Sequence, residues 1–242
     1  MAARTDHSHT PRGIAARLRD GQKASYLQDW VYGGIDGAVT TFAIVAGSLG
    51  ASLSAKIILI LGFANLLADG LSMAAGNYLG TKADNDDTER LRAVESDHID
   101  RFPEGEREEI RQIFAAKGFA GQVLDDAVDV ITTNRKVWIE TMLTEEYGVA
   151  GARRVPPRAA LATFGGFVVC GLVPLMPFVL GLPNASWLAL GGTAITFAGI
   201  GFGKSLWSVR PWWKSSLETL AIGLGAAMVA YAIGHLLNRL FA

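Results

Sequence analysis

Three pairs of side chains near the middle of the chain stand at spacings that suit metal coordination. Glu95 and His98 are three residues apart, Glu106 and Glu109 likewise, and Met142 and Glu146 are four apart, with Glu145 adjacent. On a helix, positions i and i+3 or i+4 face the same way. Each pair therefore offers two ligands to one ion. Glu-x-x-His is also the ligand pattern of di-iron carboxylate bundles. Carboxylate, imidazole and thioether together suit first-row transition ions better than magnesium or calcium, which take all-oxygen shells. One such pair matches an ordinary solvated acidic helix face, whereas three in one short segment weigh toward binding.

A second group lies in apolar surroundings. Asp36 and Asp69 are the two acidic residues deep inside hydrophobic segments. A carboxylate at the centre of a bilayer costs roughly 2.5–3.5 kcal/mol on insertion scales, so it usually serves a purpose. No Lys or Arg lies inside the apolar segments to pair with either one, Lys56 standing at the outer edge of its segment. Each must then be protonated, face water or bind a cation. Asn65, Asp69, Met73 and Asn77 recur every four residues, which puts them on one helix face, with Ser72 and Gly76 beside it. This stripe is placed to face Asp36, and the alternative role for it is helix–helix hydrogen bonding. An aspartate that binds metal when deprotonated also couples metal movement to protons.

The elements that must position these residues follow from hydropathy and charge. Half of the 242 residues are hydrophobic, and 28 are glycine. The charge is concentrated in the first 26 residues, in roughly 82–158, and in a short stretch over 204–218. A membrane-crossing helix takes about 20 mostly apolar residues. Five segments qualify, at roughly 31–53, 56–80, 159–181, 186–203 and 216–237. With the N-terminus inside, the cytoplasmic segments hold 20 Lys and Arg and the outer ones two, Lys56 and Arg239. That bias orients the protein and leaves the C-terminus outside. Gly33, Gly37, Thr40, Ile44 and Gly47 follow helical spacing in the first span, most of them small enough for close helix packing. Pro174 and Pro177 are expected to kink the third span near its outer end.

The first 26 residues are mildly basic and lack the apolar core of a signal peptide, so cleavage is not expected. Ile14 to Leu18 fit a short amphipathic helix on the membrane surface. Residues 82–158 hold 17 acidic and 12 basic side chains, and three or four helices fit there: the end of the second span to about 100, then about 105–117, 121–132 and 134–147. The one cysteine, Cys170, excludes an intrachain disulfide and a cysteine metal cluster. No basic stripe interleaved with aromatics is present, so nucleic acid is not an expected partner.

With these residues in view, the chain resembles the vacuolar iron transporter family over about 27–240. The likeness is carried by DGAVTTFAIVAG from Asp36, ADGLSMAAGNYLGTKA from Ala68, PEGEREE from Pro103, the Trp138–Met142–Glu146–Gly148 pattern, and GLVPLMPF from Gly171. The resemblance implies an all-α membrane protein with five spans, a homodimer, and a pore lined by the first two spans at the dimer axis. It implies a three- to four-helix cytoplasmic metal-binding domain between spans two and three, which collects metal near the pore mouth. It also implies proton-coupled export of Fe²⁺ from the cytosol, with Mn²⁺, Co²⁺ or Zn²⁺ accepted in some members. By motif, the pore ligands fall on Asp36 and Met73, and the domain ligands on Glu95, His98, Glu106, Glu109, Met142 and Glu146. His98 stands where the family usually has a second glutamate, which removes one negative charge.

The expectation is thus a transporter and not an enzyme, with divalent metal as substrate and domain ligand rather than cofactor. Its transport path would use Asp36, Asp69, Met73 and Asn77. The membrane would be a bacterial inner membrane, or a vacuolar one in a eukaryote. Two other readings stay open: a membrane-anchored di-iron carboxylate oxidase, and an ungated pore that needs no proton gradient, with the domain as its metal sensor. The first is weakened by the single Glu-x-x-His in the chain.

Overall fold

The computed structural model describes residues 8–20, 24–149, 151–205 and 211–241. Arg4, Lys23 and Arg210, counted in the orientation argument, lie outside them. Ten helices and no strand occur among the described residues. The chain divides into two compact units. One comprises Met1–Arg19, Ser25–Leu79 and Val155–Ala242, and the other Asp20–Ala24 and Gly80–Arg154.

The first unit holds the apolar helices. After the exposed helix α1 (Pro11–Asp20) come α2 (Leu27–Gly50) and the start of α3 (Ala55–Arg101). It continues with α7 (Pro156–Leu172), α8 (Met176–Val179), α9 (Ala185–Ser205) and α10 (Trp212–Phe241). By length and composition, α2, α3, α9 and α10 can each cross a membrane. The segment expected to cross as one helix over 159–181 is divided: α7 ends after 17 residues, and a turn leads into the four-residue α8. Proline has no N–H and clashes with the carbonyl four residues back, so Pro174 cannot extend α7. The chain tightens instead, Val173 N–H donating to the Cys170 carbonyl and Leu175 N–H to that of Leu172.

Glycine sets the closeness of the packing. A Cβ on Gly37 would overlap the Phe167 backbone carbonyl, and one on Gly166 the Trp30 carbonyl, so α2 and α7 touch backbone to backbone. Gly234 does the same for α10 against Gly47 of α2. Small residues permit this approach where hydrophobic burial provides no drive between helices. By contrast, α3 leaves much of its apolar surface open, with Ile60, Leu67 and Leu71 exposed.

The second unit is built from the end of α3 with α4 (Pro103–Ala116), α5 (Gly121–Thr133) and α6 (Arg135–Glu145). Its core is Leu91, Ile99, Ile110, Leu124, Val128, Trp138, Ile139, Met142 and Leu143. Pro103 sits in the first turn of α4, where its missing N–H costs nothing. Asn134 caps α6, its side chain accepting from the Lys136 and Val137 N–H groups. Ion pairs tie the helices around the core: Arg107 to Asp129 and Arg111 to Asp125 join α4 to α5, while Arg92 to Glu140 and Arg135 to Asp100 join α3 to α6.

Candidate metal centre

The last turns of α3 carry Glu95 and His98, and the first turn of α4 carries Glu106. Only the reversal at Phe102–Pro103 separates the two helices, with Phe102 N–H bonded to the His98 carbonyl at 2.7 Å and Glu106 N–H to that of Phe102 at 3.1 Å. The reversal turns the two motifs toward each other. Ligand atoms of Glu95, His98 and Glu106 lie within 4.8 Å of one another. His98 Nδ1 is 3.3 Å from Glu106 Oε1.

Glu95 is 1 % exposed and Glu106 5 %. Glu95 Oε2 and Glu106 Oε2 are buried and have no hydrogen-bond partner among the described residues. A buried polar atom left unpaired costs about 1–3 kcal/mol, more when charged. Two such oxygens beside an imidazole fit a cation, which would satisfy both. Burial raises the Glu106 carboxyl to about 7, helped by the negative charge of Glu109 and Glu95, by a hydrogen bond between the Glu106 and Glu95 carboxyls when one is protonated, and by the charge of Glu146. Burial likewise raises Glu146, again with Glu109 and Glu95, while Tyr147 and His98 oppose the shift. Five of the six expected domain ligands therefore act on one another electrostatically: two buried carboxylates and a half-exposed imidazole, with Glu109 and Glu146 exposed at the rim.

The distribution of cations sharpens the contrast. Among the described residues, Lys and Arg of this unit pair with Asp87, Glu89, Asp97, Asp100, Glu108, Asp125, Asp129, Glu140 and Glu145. The ion pairs there include none from Lys or Arg to Glu95, Glu106, Glu109 or Glu146. Met142, the sixth expected ligand, is fully buried in the apolar core.

Sequence spacing did not single out Tyr147. Its hydroxyl donates to Glu95 Oε1 at 2.9 Å across 52 positions of sequence. Burial and the Glu95 and Glu146 carboxylates raise its phenol, which keeps it a neutral donor. Adjacency to Glu146 was the one available hint.

In the apolar unit the four-residue stripe of α3 is hydrogen-bonded to α2 at two levels. Asn65 Nδ2 donates to Thr40 Oγ1 at 3.4 Å, and Thr40 Oγ1 donates to the Asp36 carbonyl at 2.8 Å. One turn along, Asp69 is half-buried, as are Asp36 on α2 and Met73. Asn77 is occupied differently: its amide donates to Asp29 Oδ1 at 2.8 Å, Thr163 Oγ1 at 2.6 Å and the Ala159 carbonyl at 3.2 Å. Its side chain therefore joins α3 to α2 and α7. Asp29, buried in that network, went unmarked because it precedes the apolar run.

The sequence matches the family model described as VIT family over residues 27–235. This chain belongs to that family. It is 33 % identical to a Toxoplasma gondii protein named Vacuolar iron transporter, over 89 % of this chain and 75 % of the relative. It is 30 % identical to Vacuolar iron transporter 1 of Oryza sativa, over 96 % and 91 % of the two chains. It is 29 % identical to Vacuolar iron transporter 1 of Arabidopsis thaliana, over 88 % and 86 %. Within the VIT family frame, the chain is a multi-pass membrane protein. The matched region contains every expected pore and domain residue, from Asp36 to Glu146.

Proposed function

We propose that this protein exports divalent transition metal from the cytosol in exchange for protons. Fe²⁺ is the principal substrate, and Mn²⁺, Co²⁺ and Zn²⁺ have the same ligand preferences here. The Gly80–Arg154 unit captures the ion in the cytoplasm through Glu95, His98, Glu106, Glu109 and Glu146, with Met142 as a sulfur ligand on repacking. Asp36, Asp69 and Met73 form the membrane site, and Asn77 holds the helices that carry it. Five crossings with an outer C-terminus follow if α7 and α8 together span the bilayer. A homodimer would cover the open face of α3. The names of the relatives support iron as substrate.

One observation carries the reading. Glu95, His98 and Glu106 cluster, with Glu109 and Glu146 acting on them electrostatically, and none of these glutamates has a Lys or Arg ion pair among the described residues, whereas nine other acids of the unit do. A metal supplies the missing positive charge and requires the ligands deprotonated, which links its arrival to proton release. The test is metal uptake by proteoliposomes under an imposed pH gradient. Asp36→Ala transporting at the parental rate would remove the assigned role, and uptake that persists without the gradient would favour a sensing pore instead.

A further inference from the structure

We infer that Tyr147 is a positioning residue of the metal centre: its phenol fixes the orientation of Glu95 and so decides which oxygen that carboxylate presents to an ion. The inference rests on the metal-capture reading above. Glu95 Oε1 accepts the Tyr147 hydroxyl at 2.9 Å, whereas Oε2 is buried without a hydrogen-bond partner among the described residues. The phenol thus occupies one oxygen, and we assign the unpaired one to the cluster that Glu95 forms with His98 and Glu106.

The backbone holds Tyr147 in this place. Beyond α6, Gly148 turns the chain at φ +67°, a conformation that side chains disfavour. Val149 N–H then closes onto the Leu143 carbonyl at 2.9 Å, and Val149 packs against the apolar core. Tyr147 is pinned between a helix end and an anchored residue. Hydrogen bonds of this kind orient metal ligands, and their loss typically costs ten- to a hundredfold in affinity. Here the phenol keeps Glu95 monodentate. Without it the carboxylate is free to rotate, and the ion loses a pre-oriented ligand oxygen.

The experiment uses the full-length protein in detergent and Co²⁺ as probe, read by calorimetry and by the d–d absorption of the bound ion. Tyr147→Phe keeps the ring and removes the hydroxyl. We expect about a tenfold loss of Co²⁺ affinity and a changed d–d spectrum. The effect should vanish on a Glu95→Gln background, because the phenol acts through that carboxylate. Parental Co²⁺ binding with Tyr147→Phe unchanged in affinity and spectrum overturns this inference alone. A Tyr147→Phe loss that persists in full on the Glu95→Gln background also overturns it. A parental protein that binds no Co²⁺ overturns the metal-capture reading itself. Tyr147→Trp, which fills the ring space and cannot donate in the same geometry, serves if Tyr147→Phe fails to fold, with the same readings.

Discussion

His98 Nδ1 faces Glu106 Oε1 at 3.3 Å across the reversal that joins α3 to α4. The imidazole is half-exposed and the carboxylate nearly enclosed, so the contact marks the boundary between solvent and the inside of the site. A ligand on the enclosed side is harder to replace by water than one at the rim. Glu106→Gln is expected to weaken Co²⁺ binding by at least about tenfold, because it removes an anionic ligand whose place water cannot readily take. Glu109→Gln, at the exposed rim, should cost less. Calorimetry on the purified protein checks the order.

The Glu106 carboxyl at about 7 makes binding depend on pH within the physiological range. Metal must displace the proton, so Co²⁺ affinity should rise by about tenfold from pH 6 to pH 8 and then level off. Stability without metal moves the other way. The folded state holds this proton more tightly than the unfolded one, so the contribution is complete below the unfolded carboxyl value and is lost as pH rises through about 7. The metal-free protein should therefore melt lower at pH 8 than at pH 6. Glu106→Gln should flatten both dependences.

Asp36 is tested apart from the metal-capture unit. Asp36→Asn keeps the shape of the side chain and removes its ability to lose a proton. Uptake by proteoliposomes under a pH gradient should fall to the level of empty liposomes. Co²⁺ binding by Glu95, His98 and Glu106 should be retained.

The α2–α7 contact leaves no room for a side chain at Gly37, since the atom in the way is a backbone carbonyl. Gly37→Leu should cost about 1–3 kcal/mol or more through forced separation of the helices. Size-exclusion chromatography should show loss of the monodisperse species. Gly199→Ala, with open space around its Cβ position, is the matched control and should be tolerated.

Asn77 donates to groups on both α2 and α7. Asn77→Ala should lower stability by about 0.6–2 kcal/mol, the range of interhelical hydrogen bonds in membranes. Thermal unfolding in detergent measures it. Asn77→Asp should be worse, because it sets a second carboxylate against the buried Asp29.

Helix periodicity marked the pairs Glu95 with His98 and Glu106 with Glu109, because i, i+3 neighbours are a local property of one helix. The places of the long apolar helices and the helices of the acidic segment were legible for the same reason: hydropathy and turn residues act over a few positions. The kink expected from Pro174 is a full break, with α7 ending at Leu172 and α8 starting at Met176. A hydropathy window measures apolar content, and Pro174 breaks the backbone without making the segment more polar.

Local sequence determined that Asp36 and Asp69 sit in apolar helices, that Asn65, Asp69, Met73 and Asn77 share a face, and that acidic pairs end one helix and begin the next. Tertiary structure decided which of them meet. It set Glu95 and Glu106 inside with His98 between them and solvent, committed Asn77 to Asp29 and Thr163, placed Met142 in an apolar core, and brought Tyr147 to Glu95. The reason lies in how the contacts arise. Spacing along one helix is set by its 3.6-residue turn, whereas a contact between residues 52 apart depends on the angle at Phe102, the turn at Gly148 and the packing of Ile110 and Leu143 between them.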